Sequence, residues 1–182
     1  MSGSPSAASW YATTHYLVTL LVLIWIFRRS AVEYLTARRA LVLASVIGLT
    51  FYLLMPTAPP RLVGGYHDIL SLNSGIGWWS QNGSAPKGMG NITNELAAFP
   101  SLHAGWSLWV ALVLIRAGAP RIVQVLGLLY TAIMAFVIVG TGNHWVLDAI
   151  VGWAVVLLAF VVMVGWERRA PAGEPEEQPA LT

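Results

Sequence analysis

Five long stretches of this chain, residues 10–27, 40–55, 101–115, 121–140 and 144–166, are apolar and almost free of charge. A helix needs about 20 mainly apolar residues to cross the hydrocarbon core of a bilayer. A soluble helical bundle would instead carry charge along the solvent face of each helix, and these stretches carry almost none on any face. The stretch 40–55 is short, but Arg38 and Arg39 open it, and arginine stems snorkel to the interface. The pattern predicts an all-α fold, a polytopic transmembrane helical bundle of about five spanning helices. Composition agrees: of 182 residues, 57% are hydrophobic and 10% charged, against roughly 25% charged in soluble domains.

The remaining charge excludes some functions and orients the chain. A net charge of +2 is too small and scattered for nucleic-acid binding. With no cysteine there are no disulfides, thiolate metal sites or cysteine nucleophiles. Arg28, Arg29, Arg38, Arg39, Arg116, Arg121, Arg168 and Arg169 flank one set of connections; Arg61 and Lys87 occupy the other. Positively charged loops stay inside, so the N-terminus and the long 57–99 loop are expected outside and the C-terminus in the cytoplasm. The first apolar run lacks a basic leader and is followed by arginines, so it is expected to remain as an anchor. Residues 1–169 read as one transmembrane domain, and 170–182, rich in Pro and Glu, as a disordered cytoplasmic tail. Tyr11, Trp78, Trp79 and Trp145 are expected at the outer interface, and Trp25 and Trp166 at the inner one.

Polar residues at membrane depth are costly and mark function. Here they collect at the outer ends of three stretches: Arg61 after the second, Ser101 and His103 opening the third, and Asn143, His144 and Asp148 opening the fifth. Residues four apart on a helix share a face, so Asp148 is expected to accept a hydrogen bond from His144, fix its tautomer and leave the other ring nitrogen as nucleophile or base. Ser101, after Pro100, is a suitable N-cap, and a capped helix N-terminus is an anion site. Prolines 56, 59 and 60 stiffen the approach of Arg61. A guanidinium, two helix N-termini and two histidines describe a phosphate pocket. A metal site from His103, His144 and Asp148 and a serine-hydrolase triad from Ser101, His144 and Asp148 are the competing readings; the first lacks ligand spacing, the second a nucleophile elbow. His15, Lys87 and Glu95 join no such constellation, although Lys87 and Glu95 share the outer face.

Pro100-Ser101-Leu102-His103 followed by His144-x-x-x-Asp148, each at the outer start of a membrane helix, resembles the type 2 phosphatidic acid phosphatase superfamily. The strings Pro56-Thr-Ala-Pro-Pro-Arg61, Phe99-Pro-Ser-Leu-His-Ala-Gly105 and Thr141-Gly-Asn-His-Trp-Val-Leu-Asp148 look most like its inositol phosphorylceramide synthase-like branch. The resemblance covers roughly residues 40–165. It implies a phosphorylated-lipid substrate and metal-independent chemistry without a cofactor, through a phosphohistidine. His144 would attack phosphorus, Asp148 orient it, and His103 protonate the leaving alkoxide. Arg61, Ser101 and Asn143 would bind the phosphoryl group. The expected activity is lipid-phosphate hydrolysis at the outer leaflet of the plasma membrane. The alternatives are transfer of a phosphoryl-headgroup, such as phosphoinositol, to an alcohol, and a non-catalytic lipid-binding protein.

The chain departs from the superfamily pattern in three places. Leu54 and Met55 stand where a lysine precedes the arginine of the first motif, and Ile138 where an arginine precedes the histidine of the third. That leaves Arg61 as the strong candidate cation, a simplification shared with the inositol-transferase branch. The family core usually has six helices; five are legible here, leaving a flank that a second copy would cover as a homodimer.

Overall fold

The computed structural model describes residues 5–63 and 96–169, with side chains from residue 14 onward. Most of the 57–99 loop, including Lys87 and Glu95, and the 170–182 tail lie outside the described residues. Five long helices carry the fold: α1 (Pro5–Arg29), α2 (Ala31–Leu54), α3 (Leu102–Arg116), α4 (Arg121–Gly140) and α5 (Val146–Arg169). A 3₁₀ turn, Pro60–Leu62, follows α2.

Local sequence explains most of the boundaries. Ser30 alone separates α1 from α2, and its hydroxyl accepts the Glu33 N–H in a Ser-x-x-Glu capping arrangement. The helix therefore begins well before Arg38 and Arg39, which lie exposed within it rather than at its opening. An apolar-run reading stops at the arginines; the cap, not hydropathy, sets the start. Pro56 ends the helical stretch, since the residue before a proline is pushed out of the α region. The third predicted stretch becomes α3 with Ser101 as its cap, and the fourth matches α4.

The helix α3 is the hub. It packs against α1, α2, α4 and α5, and its buried residues, among them Ala104, Gly105, Ser107, Trp109, Val110 and Leu114, surround the helix instead of forming one stripe. A helix apolar on all sides suits that position. The outer helices expose large apolar side chains such as Leu53, Ile122 and Phe136, as lipid-facing surfaces do. By length and composition α2, α4 and α5 are long enough to span a membrane, whereas α3 has 15 residues, about 22 Å against a core of about 30 Å.

Where that shortfall lies is fixed by contacts. At one end Arg116 donates to Glu33 (2.6 Å) and Glu167 (2.8 Å), and Thr36 donates to Glu167 (2.7 Å), so α2, α3 and α5 end level there. Trp109, fully buried, donates its indole N–H to Ala37 O at 2.8 Å. At the other end Leu102 packs against Gly48, six residues short of the end of α2, so α3 starts about 9 Å below it. The N-terminus of α3 is thus recessed in the bundle.

The helices α3 and α5 meet at glycines. A Cβ on Gly152 would collide with the Ser101 carbonyl oxygen, and one on Gly105 would press on Val156 and the Gly152 carbonyl. Small residues let helix backbones approach closely. Here the approach is close enough for the Ser101 N–H to donate to Asp148 O at 2.9 Å, joining the start of α3 to the first turn of α5.

Candidate active site

Three chain segments converge at the recessed end of α3. The first is the run from Thr57 to Arg61. Thr57 pairs with 96–98 as an isolated parallel bridge, with Thr57 N–H to Leu96 O at 2.6 Å and Ala98 N–H to Thr57 O at 3.2 Å. The two ends of the long loop are therefore tied to each other. The Trp145 indole N–H donates to Ala58 O at 3.1 Å, so Trp145, expected as an interface anchor, also pins this segment to the start of α5. Arg61 N–H donates to Gly142 O at 3.0 Å, and its guanidinium Nη1 donates to Asn143 Oδ1 at 3.1 Å.

The second segment is the turn between α4 and α5. The helix α4 ends in a Schellman motif: Gly142 N–H donates to Val139 O (3.0 Å) and Asn143 N–H to Ile138 O (3.1 Å). Gly142 has φ 69°, which a side chain would strain, and Arg61 lies against it. His144 N–H also donates to Ile138 O at 3.1 Å. The backbone of His144 is thus held by the end of α4, and its ring is 4% exposed. Asn143, 3% exposed, donates from Nδ2 to the Thr141 hydroxyl at 2.7 Å.

The helix α5 begins only at Val146, so His144 and Asp148 do not share a helical face as expected. They meet through a cap. Asp148, the third residue of α5 and 2% exposed, accepts the Trp145 N–H at 2.7 Å through Oδ2, the reciprocal half of a capping box. The same oxygen lies 3.5 Å from His144 Nδ1. The shorter bond from that nitrogen runs to Ala98 O at 2.8 Å. A carbonyl only accepts, so Nδ1 carries the proton and Nε2 of the neutral ring holds the free lone pair. The tautomer expected from Asp148 is therefore dictated by the Ala98 carbonyl, with the carboxylate close behind as an electrostatic partner.

The third segment is the start of α3. Ser101, fully buried, caps the helix by accepting the Ala104 N–H at 3.3 Å. Tyr52 of α2 donates to Pro100 O at 2.8 Å, and the Phe99–Pro100 peptide is cis. His103, half-buried, has its ring centroid 5.8 Å from that of His144. Ser101, His103, Asn143, His144, Asp148 and Arg61 are thus gathered at one end of the bundle. Both α3 and α5 direct their positive N-terminal ends there, and with Arg61 they make the site suited to an anion. Where the phosphatase pattern would place further cations, Leu54 and Met55 are exposed and Ile138 is fully buried among apolar neighbours. Among the described residues no group of three or more His, Cys, Asp or Glu side chains is arranged to hold a metal ion.

His15 of α1, set aside on sequence grounds, is 4% exposed, with its ring centroid 4.3 Å from that of His103 in an edge-on arrangement. The signal was there: an imidazole within an apolar span is costly. No local spacing linked it to the third helix.

A family model described as the PAP2 superfamily matches residues 5–162. No curated protein and no solved structure matches the chain significantly.

Proposed function

Because the chain belongs to the PAP2 superfamily, a family of phosphoesterases and phosphotransferases, we propose that it is a membrane lipid-phosphate phosphatase working through a phosphohistidine on His144 at the outer leaflet. The observation that carries this reading is the Ala98 carbonyl bond to His144 Nδ1, which leaves Nε2 as the nucleophilic atom beside His103. In the first displacement His144 Nε2 bonds to phosphorus, the bond to the lipid oxygen breaks, and His103 gives that oxygen a proton. In the second, water attacks phosphorus, neutral His103 takes its proton, and the P–N electron pair returns to His144. A covalent intermediate divides one difficult displacement into two. Phosphoryl transfer needs mainly positioning and charge neutralisation, supplied by Arg61 steadied on Asn143, by the two helix ends and by Asp148 behind the developing imidazolium. Ser101, buried as the α3 cap, contributes by setting where that helix end sits.

A second reading, transfer of the phosphoryl-headgroup to an alcohol, is favoured by Leu54, Met55 and Ile138 in place of the phosphatase-type cations. In it His144 takes the phosphoryl-headgroup from a lipid phosphodiester, the lipid oxygen leaves with a proton, and an alcohol instead of water then attacks the phosphorus. Phosphate release from a panel of lipid phosphates, set against alcohol-dependent transfer from a headgroup-bearing lipid phosphodiester, both in detergent, separates the two. His144→Ala is expected to abolish both turnover and an acid-labile phosphoenzyme; retention of most activity overturns the assignment of the nucleophile.

A further inference from the structure

We infer that His15 is a positioning residue for the general acid, setting the ring rotation and tautomer of His103 so that its proton faces the leaving oxygen. The inference rests on the phosphohistidine reading and extends it to a helix outside the recognisable motifs. The His103 ring neighbours two other imidazoles, its centroid 4.3 Å from that of His15 and 5.8 Å from that of His144. On its other sides His15 meets Tyr16 (3.8 Å) and Trp106 (5.9 Å). Titratable neighbours among the described residues include Tyr16, beside His15, and Asp148, beside His144. A leucine or phenylalanine would fill this buried place in α1 at lower cost, because a buried polar ring must find polar company. Among its neighbours is the ring that must change protonation twice per turnover. His144 is fixed by a carbonyl; the ring packed edge-on against His103 is His15.

The position of His15 also divides its role from that of the phosphate-binding groups. Arg61 and Asn143 lie on the segments beside His144, whereas His15 touches His103 from α1. Its loss should therefore act on the protonation of the leaving group and not on substrate capture. A group that merely packs would not distinguish substrates by how much protonation they need.

The test compares dodecyl phosphate, whose alkoxide needs a proton, with 4-nitrophenyl phosphate, whose phenolate does not, using the whole chain in detergent. His15→Phe, which keeps an aromatic ring, is expected to lower kcat for dodecyl phosphate by about 10- to 100-fold with KM little changed. This is part of the about 10²–10⁴ that general-acid catalysis contributes. The pre-steady-state burst of 4-nitrophenolate, which reports the first displacement alone, should stay within about threefold, while the corresponding single-turnover release of dodecanol falls; His15→Asn, which retains a polar nitrogen, should recover part of the dodecyl phosphate activity. Equal losses on both substrates, or none on either, overturn the inference. The chain has four histidines, so ring ¹⁵N spectra provide a readout independent of turnover: His15→Phe should change the tautomer populations of His103 and spare those of His144. An unchanged His103 overturns the inference even in a preparation that hydrolyses neither ester. Retained turnover in His144→Ala would instead sink the phosphohistidine reading, with the His103 spectra still deciding the role of His15.

Discussion

Replacing Asp148 by Asn isolates one physical contribution, because the structure divides the work of this carboxylate. Its Oδ2 caps Trp145 N–H at 2.7 Å and lies 3.5 Å from His144 Nδ1, while Ala98 O holds the Nδ1 proton at 2.8 Å. An asparagine oxygen can still accept the Trp145 N–H, and the carbonyl still sets the tautomer, so what is lost is charge. Two unit charges 3.5 Å apart attract by about 5 kcal/mol at an effective dielectric of about 20. With about half of the imidazolium charge developed in the transition state, the loss is about 2–3 kcal/mol, or about 10²-fold in kcat. Asp148→Asn should therefore lower kcat about a hundredfold, leave KM on the same lipid phosphate within about threefold, and keep its melting temperature. Asp148→Ala should add a loss of stability of about 1–3 kcal/mol, because the partly buried Trp145 N–H is left without its acceptor. The measurement is steady-state phosphate release alongside thermal unfolding of both variants in detergent. Near-normal kcat with raised KM in Asp148→Asn would refute the reasoning and leave Asp148 as a helix cap alone.

Gly152→Ala places a methyl against the Ser101 carbonyl, whereas Gly165→Ala meets nothing within 4 Å; thermal unfolding should show a loss of about 1–3 kcal/mol for the first and none for the second. Equal stability of the two variants would mean that α3 and α5 need not approach as closely as described. Because basic residues concentrate on one set of connections, cysteines placed at Ser84 and Ala172 should react with an impermeant reagent from opposite sides of the membrane. Reaction of both from one side would refute the proposed topology. With Arg61 and two helix ends supplying positive charge, turnover is expected to persist in excess EDTA. Loss of activity restored by one specific metal would return His103, His144 and Asp148 to consideration as ligands.

The bundle and the gathering of the motifs were legible because their signals are local. Long uncharged stretches dictate helices in a membrane, since every backbone polar group must be paired within its own segment. Ser101 reads as a cap from its place after Pro100, and the two crossings between the motifs, α3 and α4, bring α3 and α5 to start at the same end. The start of α2 was missed where the apolar pattern stopped at Arg38, although Ser30-x-x-Glu33 carried the boundary. The spacing of His144 and Asp148 pointed to a real proximity for a different reason: the carboxylate half of a capping box at the start of α5 instead of a shared helical face.

Sequence by itself thus determined the class of fold, the helix ends set by nearby caps, and the set of polar residues that share one end of the bundle. Tertiary structure alone decided who partners whom within that end. The Ala98 carbonyl reaches His144, Ala58 receives the Trp145 indole, and His15 of α1 meets His103 of α3. Helix propensity and capping act over about four residues, so a single sequence displays them. The partner of a buried polar group depends on which distant segment closes over it, and that is settled only when Gly48, Gly105 and Gly152 let α2, α3 and α5 pack at close range.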